Sequence, residues 1–146
     1  LVLERGDVDG AIGAASAALS SRSAGLVPGE VAEPRQWLED ALAGVAVPCS
    51  PMDGFVRIAF THAFRHLAQG TSFEDALRQM LSGGGDTDTN ACIVGGLLGA
   101  RWGASAIPEP MRAAVLGCDH GSGRNPRPDE LHPRVAPPLV RTLLAT

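Results

Sequence analysis

The sequence predicts an all-α fold, on three observations. Apolar residues recur at helical spacing in several segments, and no segment alternates as a strand does. Ala and Gly are abundant within an apolar content of 45%, which suits closely packed helices. Pro and Gly fall between the periodic segments, where they start and stop helices. The 146 residues are enough for one domain with a buried core, so residues 1–146 are read as a single compact helical bundle with orthogonally packed helices.

Each element follows in order. Asp7 or Asp9 can cap a helix running through Ala11, Ile12, Ala15 and Leu19. Gly25 to Pro34 reads as a loop, and Pro34 then opens a short helix through Trp37, Leu38, Ala41 and Leu42. Val45 to Gly54 holds two prolines and reads as irregular. From Phe55 to Ala68 the pattern is helical: Val56, Phe60, Ala63 and Leu67 share a face that Phe55, Ile58 and Ala59 widen, and Gly70 ends it. Ser72 with Asp75 makes a start like a capping box for Phe73 to Leu81, with Asp shorter than the usual Glu. An apolar helix then runs to about Trp102, with Gly95, Gly96 and Gly99 admitting a close neighbour and Arg101 at its end. Pro108 begins another helix ending near Gly117 or Cys118, residues 119–138 are loop-rich, and Pro137 to Leu144 is a last short helix.

Charge and composition exclude several classes. A net charge of -4 makes nucleic acid an unexpected partner. The longest apolar run, Ala91 to Ala100, is about half a membrane span, so no membrane is expected. Charged residues follow Leu1-Val2-Leu3 at once, unlike a signal peptide. Cys49, Cys92 and Cys118 are odd in number and form no CxxC pair, which suits reduced thiols and a cytoplasmic protein.

The chemistry concentrates in "GGGDTDTN", Gly83 to Asn90. Glycines end one helix, and Asp86 stands at the start of the next. A single Asp there would be read as a cap favoured by the helix dipole. One cap uses only one of these side chains, and the oxygens at 86, 88 and 89 can converge just off the helix end, as Mg²⁺ requires. The residues alone leave cap and metal ligand both open. Three other motifs fail on detail. A calcium loop starting at Asp86 would need Gly where Ala91 stands and Glu where Leu97 stands. A P-loop needs a Lys after its glycines, and none is near. His62 and His66 share a helix face, but a zincin needs Glu where Ala63 stands, so they read as surface or hydrogen-bonded histidines.

The stretch "GGDTDTNACIVGGLLGARWGASAIPEPMR" resembles the C-terminal signature of the ADP-ribosylglycohydrolases, the family of dinitrogenase-reductase-activating glycohydrolase and the ADP-ribosyl-acceptor hydrolases. The preceding "GFVRIAFTHAFRHLAQGTSFEDALRQMLSGG" is similar to the helix pair before that motif, and the resemblance is best from 54 to 118. It implies the C-terminal portion of a mostly α-helical fold with a binuclear Mg²⁺ or Mn²⁺ site. It also implies hydrolysis of the bond joining ADP-ribose to an acceptor, with an ADP-ribosylated protein or small conjugate as partner. By position, Asp86, Asp88 and Thr89 match the C-terminal metal ligands. Gly54 and Phe55 match positions that approach the substrate, although by residue type they read as a hinge and a core aromatic.

The departures set the functional expectation. Members of the family are roughly twice this length. Their N-terminal half carries a Gly-Asp-x-x-Gly element and a Thr/Ser-Asp-Asp run that completes the site. Gly6 to Gly13 fits the first superficially, but no such run follows. The chain therefore reads as a C-terminal fragment with an incomplete site, inactive or weakly active alone, with its catalytic acid and base elsewhere. The alternative is a non-catalytic ADP-ribose-binding or structural helical module.

Overall fold

The computed structural model describes residues 7–21 and 28–145, the side chains of 28–31 excepted. The residues before Asp7, including Gly6, and the part of the predicted loop from Gly25 to Val27 lie outside them. Among the described residues there are seven α-helices and no strand, as the all-α reading requires. They divide into two compact units, one up to Ala106 and one from Ile107.

The first unit holds α1 (Val8–Ser21), α2 (Pro28–Leu42), α3 (Val56–Gln69), α4 (Phe73–Ser82) and α5 (Thr87–Trp102). Asp7 caps α1, its Oδ1 accepting the Gly10 N–H at 2.8 Å. Ser72 caps α4, its Oγ accepting the Asp75 N–H at 3.1 Å, and the same hydroxyl donates to Asp75 Oδ2 at 2.7 Å, so the short Asp meets the Ser72 hydroxyl where a full capping box would use the backbone N–H. Gly70 ends α3 in the left-handed conformation, φ 67°. Helix α3 is central, packed on α2 and α5, and α4 packs on α5. The core joins Ala11, Ala15, Leu38, Ala41, Ile58, Ala63, Phe64, Leu67, Ala76, Met80, Val94 and Leu98.

Four readings need correction. Helix α2 begins at Pro28, and Pro34 lies inside it. A proline there forfeits one helical N–H bond, a loss that the burial of Leu38 and Ala41 one and two turns later outweighs. Val56 is 59% exposed, because the first turn of α3 presents Phe55 and Ile58 inward instead. Gly95 and Gly99 do receive a neighbour: a Cβ on Gly95 would lie 3.3 Å from Leu77 Cδ2 and 3.7 Å from the Phe73 ring. Gly96 faces open space. Arg101 reaches back across the helices to donate to the Leu67 carbonyl at the end of α3, beside Trp102 Nε1, which donates to the Thr71 carbonyl at 3.0 Å. Arg101 stands in the last turn of α5 as expected, but its guanidinium satisfies one carbonyl of α3 rather than those of its own helix.

His62 and His66 are buried and hydrogen-bonded, the second of the two readings the sequence left open and not the surface one. His66 Nε2 faces the Arg65 guanidinium at 3.3 Å, and arginine only donates, so this nitrogen carries no proton. Nδ1 then donates to Thr71 Oγ1 at 3.2 Å. Protonating the ring would set an N–H against a cation. Burial, then the charge of Arg65, lowers the His66 pKa to about 4. The folded state therefore takes this proton near pH 4 and the unfolded chain takes it near 6.5. Between those values the unfolded state binds more protons, so stability falls as pH falls, and this contribution is complete above pH 6.5. Its size is on the order of 2 kcal/mol. In chemical denaturation at pH 7.5 and pH 4.5, His66→Gln is expected to shrink the stability difference between the two pH values by about that amount. An unchanged difference would show that His66 does not carry it.

The second unit holds α6 (Glu109–Leu116) and α7 (Ala136–Leu144), joined by an irregular segment with two short 3-10 turns. His132 anchors that segment: its Nε2 donates to the Cys118 carbonyl at 3.0 Å, and its Nδ1 accepts the Arg134 N–H at 3.0 Å.

Candidate metal centre

The carboxylates sit on a turn that only glycine can build. Gly84 and Gly85 are both left-handed, at φ 73° and 67°, and the Thr87 N–H closes the turn onto the Gly85 carbonyl at 2.9 Å. A Cβ on Gly85 would also overlap the carbonyl oxygen of Cys49. Gly85→Ala is expected to destabilise the first unit by about 2 kcal/mol or more, since it meets backbone strain and a backbone clash together. Thermal unfolding checks this, and a stability equal to the parent's would mean the turn is not rigid.

Helix α5 starts from that turn. Asn90, Val94 and Leu98, four residues apart, are its buried row, which turns Asp88 and Thr89 outward. Asp86 occupies the cap position, yet its side chain makes no capping hydrogen bond. Its carboxyl instead meets that of Asp88. Asp88 is held below the usual carboxylate range, first by the hydrogen bond that the Asp86 carboxyl donates when it carries a proton, then by the N–H groups of Thr89 and of Asp88 itself. Asp88 is therefore an anion throughout the neutral range. The capping role that one Asp could fill is taken in part by Asp88, and the Asp86 carboxylate is not spent on it.

The surroundings bring in residues that sequence reasoning placed differently. Gly54 is left-handed at φ 76°, and a Cβ there would lie 3.5 Å from Asp86 Oδ2, so this glycine does border the carboxylates. Phe55 caps α3 and packs edge-on against Trp37, with ring centroids 5.7 Å apart. It also lines an apolar cavity of about 220 Å³ together with Val47, Pro51, Met52, Arg57 and Ile58. Asp53 Oδ1 would lie 3.1 Å from a Cβ on Gly85, which puts a third carboxylate beside the turn. Asp40 is committed elsewhere, to Arg57 at 3.1 Å and Gln36 at 3.0 Å. Sequence reasoning missed Cys49, which lies beneath the turn. A single Cys in a Pro-rich segment carries no signal of such a place.

The donor set fits a hard divalent cation in kind. Two carboxylates and the Thr89 hydroxyl offer oxygen donors of the kind such an ion takes, at a helix start whose outer side is open to solvent. In number it falls short: among the described residues no three or more His, Cys, Asp or Glu side chains gather to hold an ion. The residues fit one wall of such a site.

A protein of Acanthamoeba polyphaga mimivirus, provisionally named an ADP-ribosyl glycohydrolase, is 40% identical over 65 residues, which are 44% of this chain and 19% of that protein. The chain thus aligns with about a fifth of the length of the curated relative it matches. No solved structure matches. The ADP-ribosylglycohydrolase family pattern matches residues 1–136, well beyond the 54–118 stretch where the resemblance is plainest. Covering nearly the whole sequence, that match establishes that the chain belongs to the ADP-ribosylglycohydrolase family.

Proposed function

We propose that this chain supplies one wall of the active site of a divalent-metal-dependent hydrolase that cleaves the bond between ADP-ribose and an acceptor. The observation that carries the reading is the Asp86–Asp88 pair. Two carboxyls meet at a helix start, neither Asp86 oxygen is used as a cap, and the turn beneath them has no room for a Cβ at Gly85. Family membership supports the reaction class.

In that reaction a water oxygen bonds to the anomeric carbon of the ribose as the bond to the acceptor breaks. The bonding pair leaves with the acceptor atom, which takes up a proton. Asp86, Asp88 and Thr89 would hold Mg²⁺ or Mn²⁺, two ions in the intact site. Bound there, such ions supply Lewis acidity and a lowered water pKa. The chain's own residues do the rest. Ionised Asp88 provides a fixed negative charge that attracts a cation and accepts hydrogen bonds from water. Gly54 lets a ligand approach Asp86 without obstruction, and Phe55 presents an apolar edge to the neighbouring cavity.

Two carboxylates cannot balance the four positive charges of a binuclear site. We infer that further acidic groups come from chain beyond these residues, a reading supported by the small share of the relative that the match covers. The test measures ADP-ribose released from a modified peptide by a longer product of the same gene, with Mg²⁺ and with chelator. Release that chelator does not reduce would overturn metal dependence, and no release from any ADP-ribosylated substrate would overturn the hydrolase reading.

A further inference from the structure

The turn that carries the carboxylates is held from below by a chain of contacts beginning on α3. His62 is only 6% exposed, and its Nε2 lies 2.7 Å from the Val47 carbonyl, to which it donates. The same nitrogen is 3.9 Å from Cys49 Sγ. Cys49 is buried in turn, and its carbonyl and thiol both face the glycines of the turn. A Cβ on Gly85 would overlap the carbonyl, and a Cβ on Gly83 would lie 2.9 Å from the thiol. One residue beyond Gly85 stands Asp86.

We infer that His62 and Cys49 are positioning residues for Asp86 and Asp88. His62 fixes the Val47–Cys49 segment on α3, and Cys49 fixes the height and tilt of the glycine turn from which α5 starts. The inference deepens the proposed metal centre and rests on that reading only for its effect on metal. The geometry explains why this irregular, Pro-containing segment needs a buried histidine. A loop has no ladder of its own to set its position, so one strong side-chain bond to a carbonyl defines it. It also explains the small residue at 49, since a longer side chain would push Gly83 away. Supporting groups of this kind, which orient ligands without touching the ion, usually alter metal affinity by about ten- to a hundredfold.

The test uses amide NMR of the 146-residue chain and two pairs of variants. Gly83 is exposed and has an ordinary backbone, φ -70°, so Gly83→Ala acts through its contact with Cys49. It is expected to move the amide resonances of Asp86, Asp88 and Thr89, and adding Cys49→Ala is expected to return them. His62→Leu should move the same resonances, whereas His62→Gln, which keeps an N–H donor, should not. In a Mn²⁺ titration of the same samples, the concentration that half-broadens these amides should rise about ten- to a hundredfold in Gly83→Ala and His62→Leu and recover in the paired variants. Changes in Gly83→Ala that stop at residue 84, or that Cys49→Ala fails to reverse, would overturn the inference. Should His62→Leu not fold, the Gly83 pair decides alone. If the parent amides show no Mn²⁺ broadening, the metal-free shifts judge the positioning by the same criteria.

Discussion

Replacing Asp86 and Asp88 together by Asn is expected to abolish Mn²⁺ binding by the full-length protein while leaving helix α5 in place. The reasons for the two halves of that outcome are separate. Asn keeps the size and one acceptor oxygen of Asp but loses its charge, and hard cations are held by charge. Removing two formal charges from the site should weaken binding by more than a hundredfold, beyond the range typical of indirect effects. Stability has little to lose. Asp86 makes no capping bond with its side chain, and Asp88 is exposed. An Asn oxygen at 88 can still accept the Thr89 N–H. Asn is as favourable as Asp at a helix start, so the exchange at these two positions costs about 0.5 kcal/mol or less. Equilibrium dialysis with Mn²⁺, beside circular dichroism of the same sample, checks both. Parent-like affinity in the double variant would show that these carboxylates are not ligands. A fall in helicity would show instead that Asp88 is needed as a cap.

Most of this architecture was legible, because the signals are local. Gly70, Ser72 with Asp75 and Pro108 each set a helix boundary by their own backbone chemistry, and each boundary lies where that chemistry predicts. What was not legible depends on partners distant in sequence. Pro34 reads as a helix start because a proline inside a helix is locally unfavourable, and only the packing of Leu38 and Ala41 reverses that preference. Val56 fits the apolar stripe by spacing, but the inward side of the first turn is decided by Trp37, against which Phe55 packs. His62 and His66 read as surface or hydrogen-bonded residues by type. Their burial depends on the Val47 carbonyl and on Thr71, which accept their protons. At the candidate site, the oxygen-rich run announces itself, and its match to the family's motif is what singles out Asp86, Asp88 and Thr89 as candidates. The floor beneath it comes from residues 47–54, more than thirty positions before Asp86, and no spacing rule connects the two.

The 146 residues alone are expected to release no ADP-ribose from modified substrates, and a chain extended upstream is expected to do so in a divalent-dependent manner. The argument is one of charge and of surface. Two carboxylates and a hydroxyl leave a binuclear centre with about two positive charges unbalanced, which a site in contact with a diphosphate and water would not hold in a defined geometry. Added carboxylates supply the balance and the opposite wall at once, and binding of metal then adds its own free energy to folding. The apolar surface points the same way. Met52, Val56 and Leu81 are each more than half exposed in the first unit, and Leu139, Leu143 and Leu144 in the second. Such side chains favour self-association where nothing covers them. The short chain should therefore elute above its monomer mass at high concentration, and the extended chain should not. The decisive comparison is ADP-ribose release by the two at matched concentration, with Mg²⁺ and with chelator. Chelator-sensitive turnover by the 146 residues would overturn the incomplete-site reading. Asp53, beside Gly85 in the structure, would then be the first candidate for a further ligand, since Asp7 is spent on capping α1 and Asp40 on Arg57.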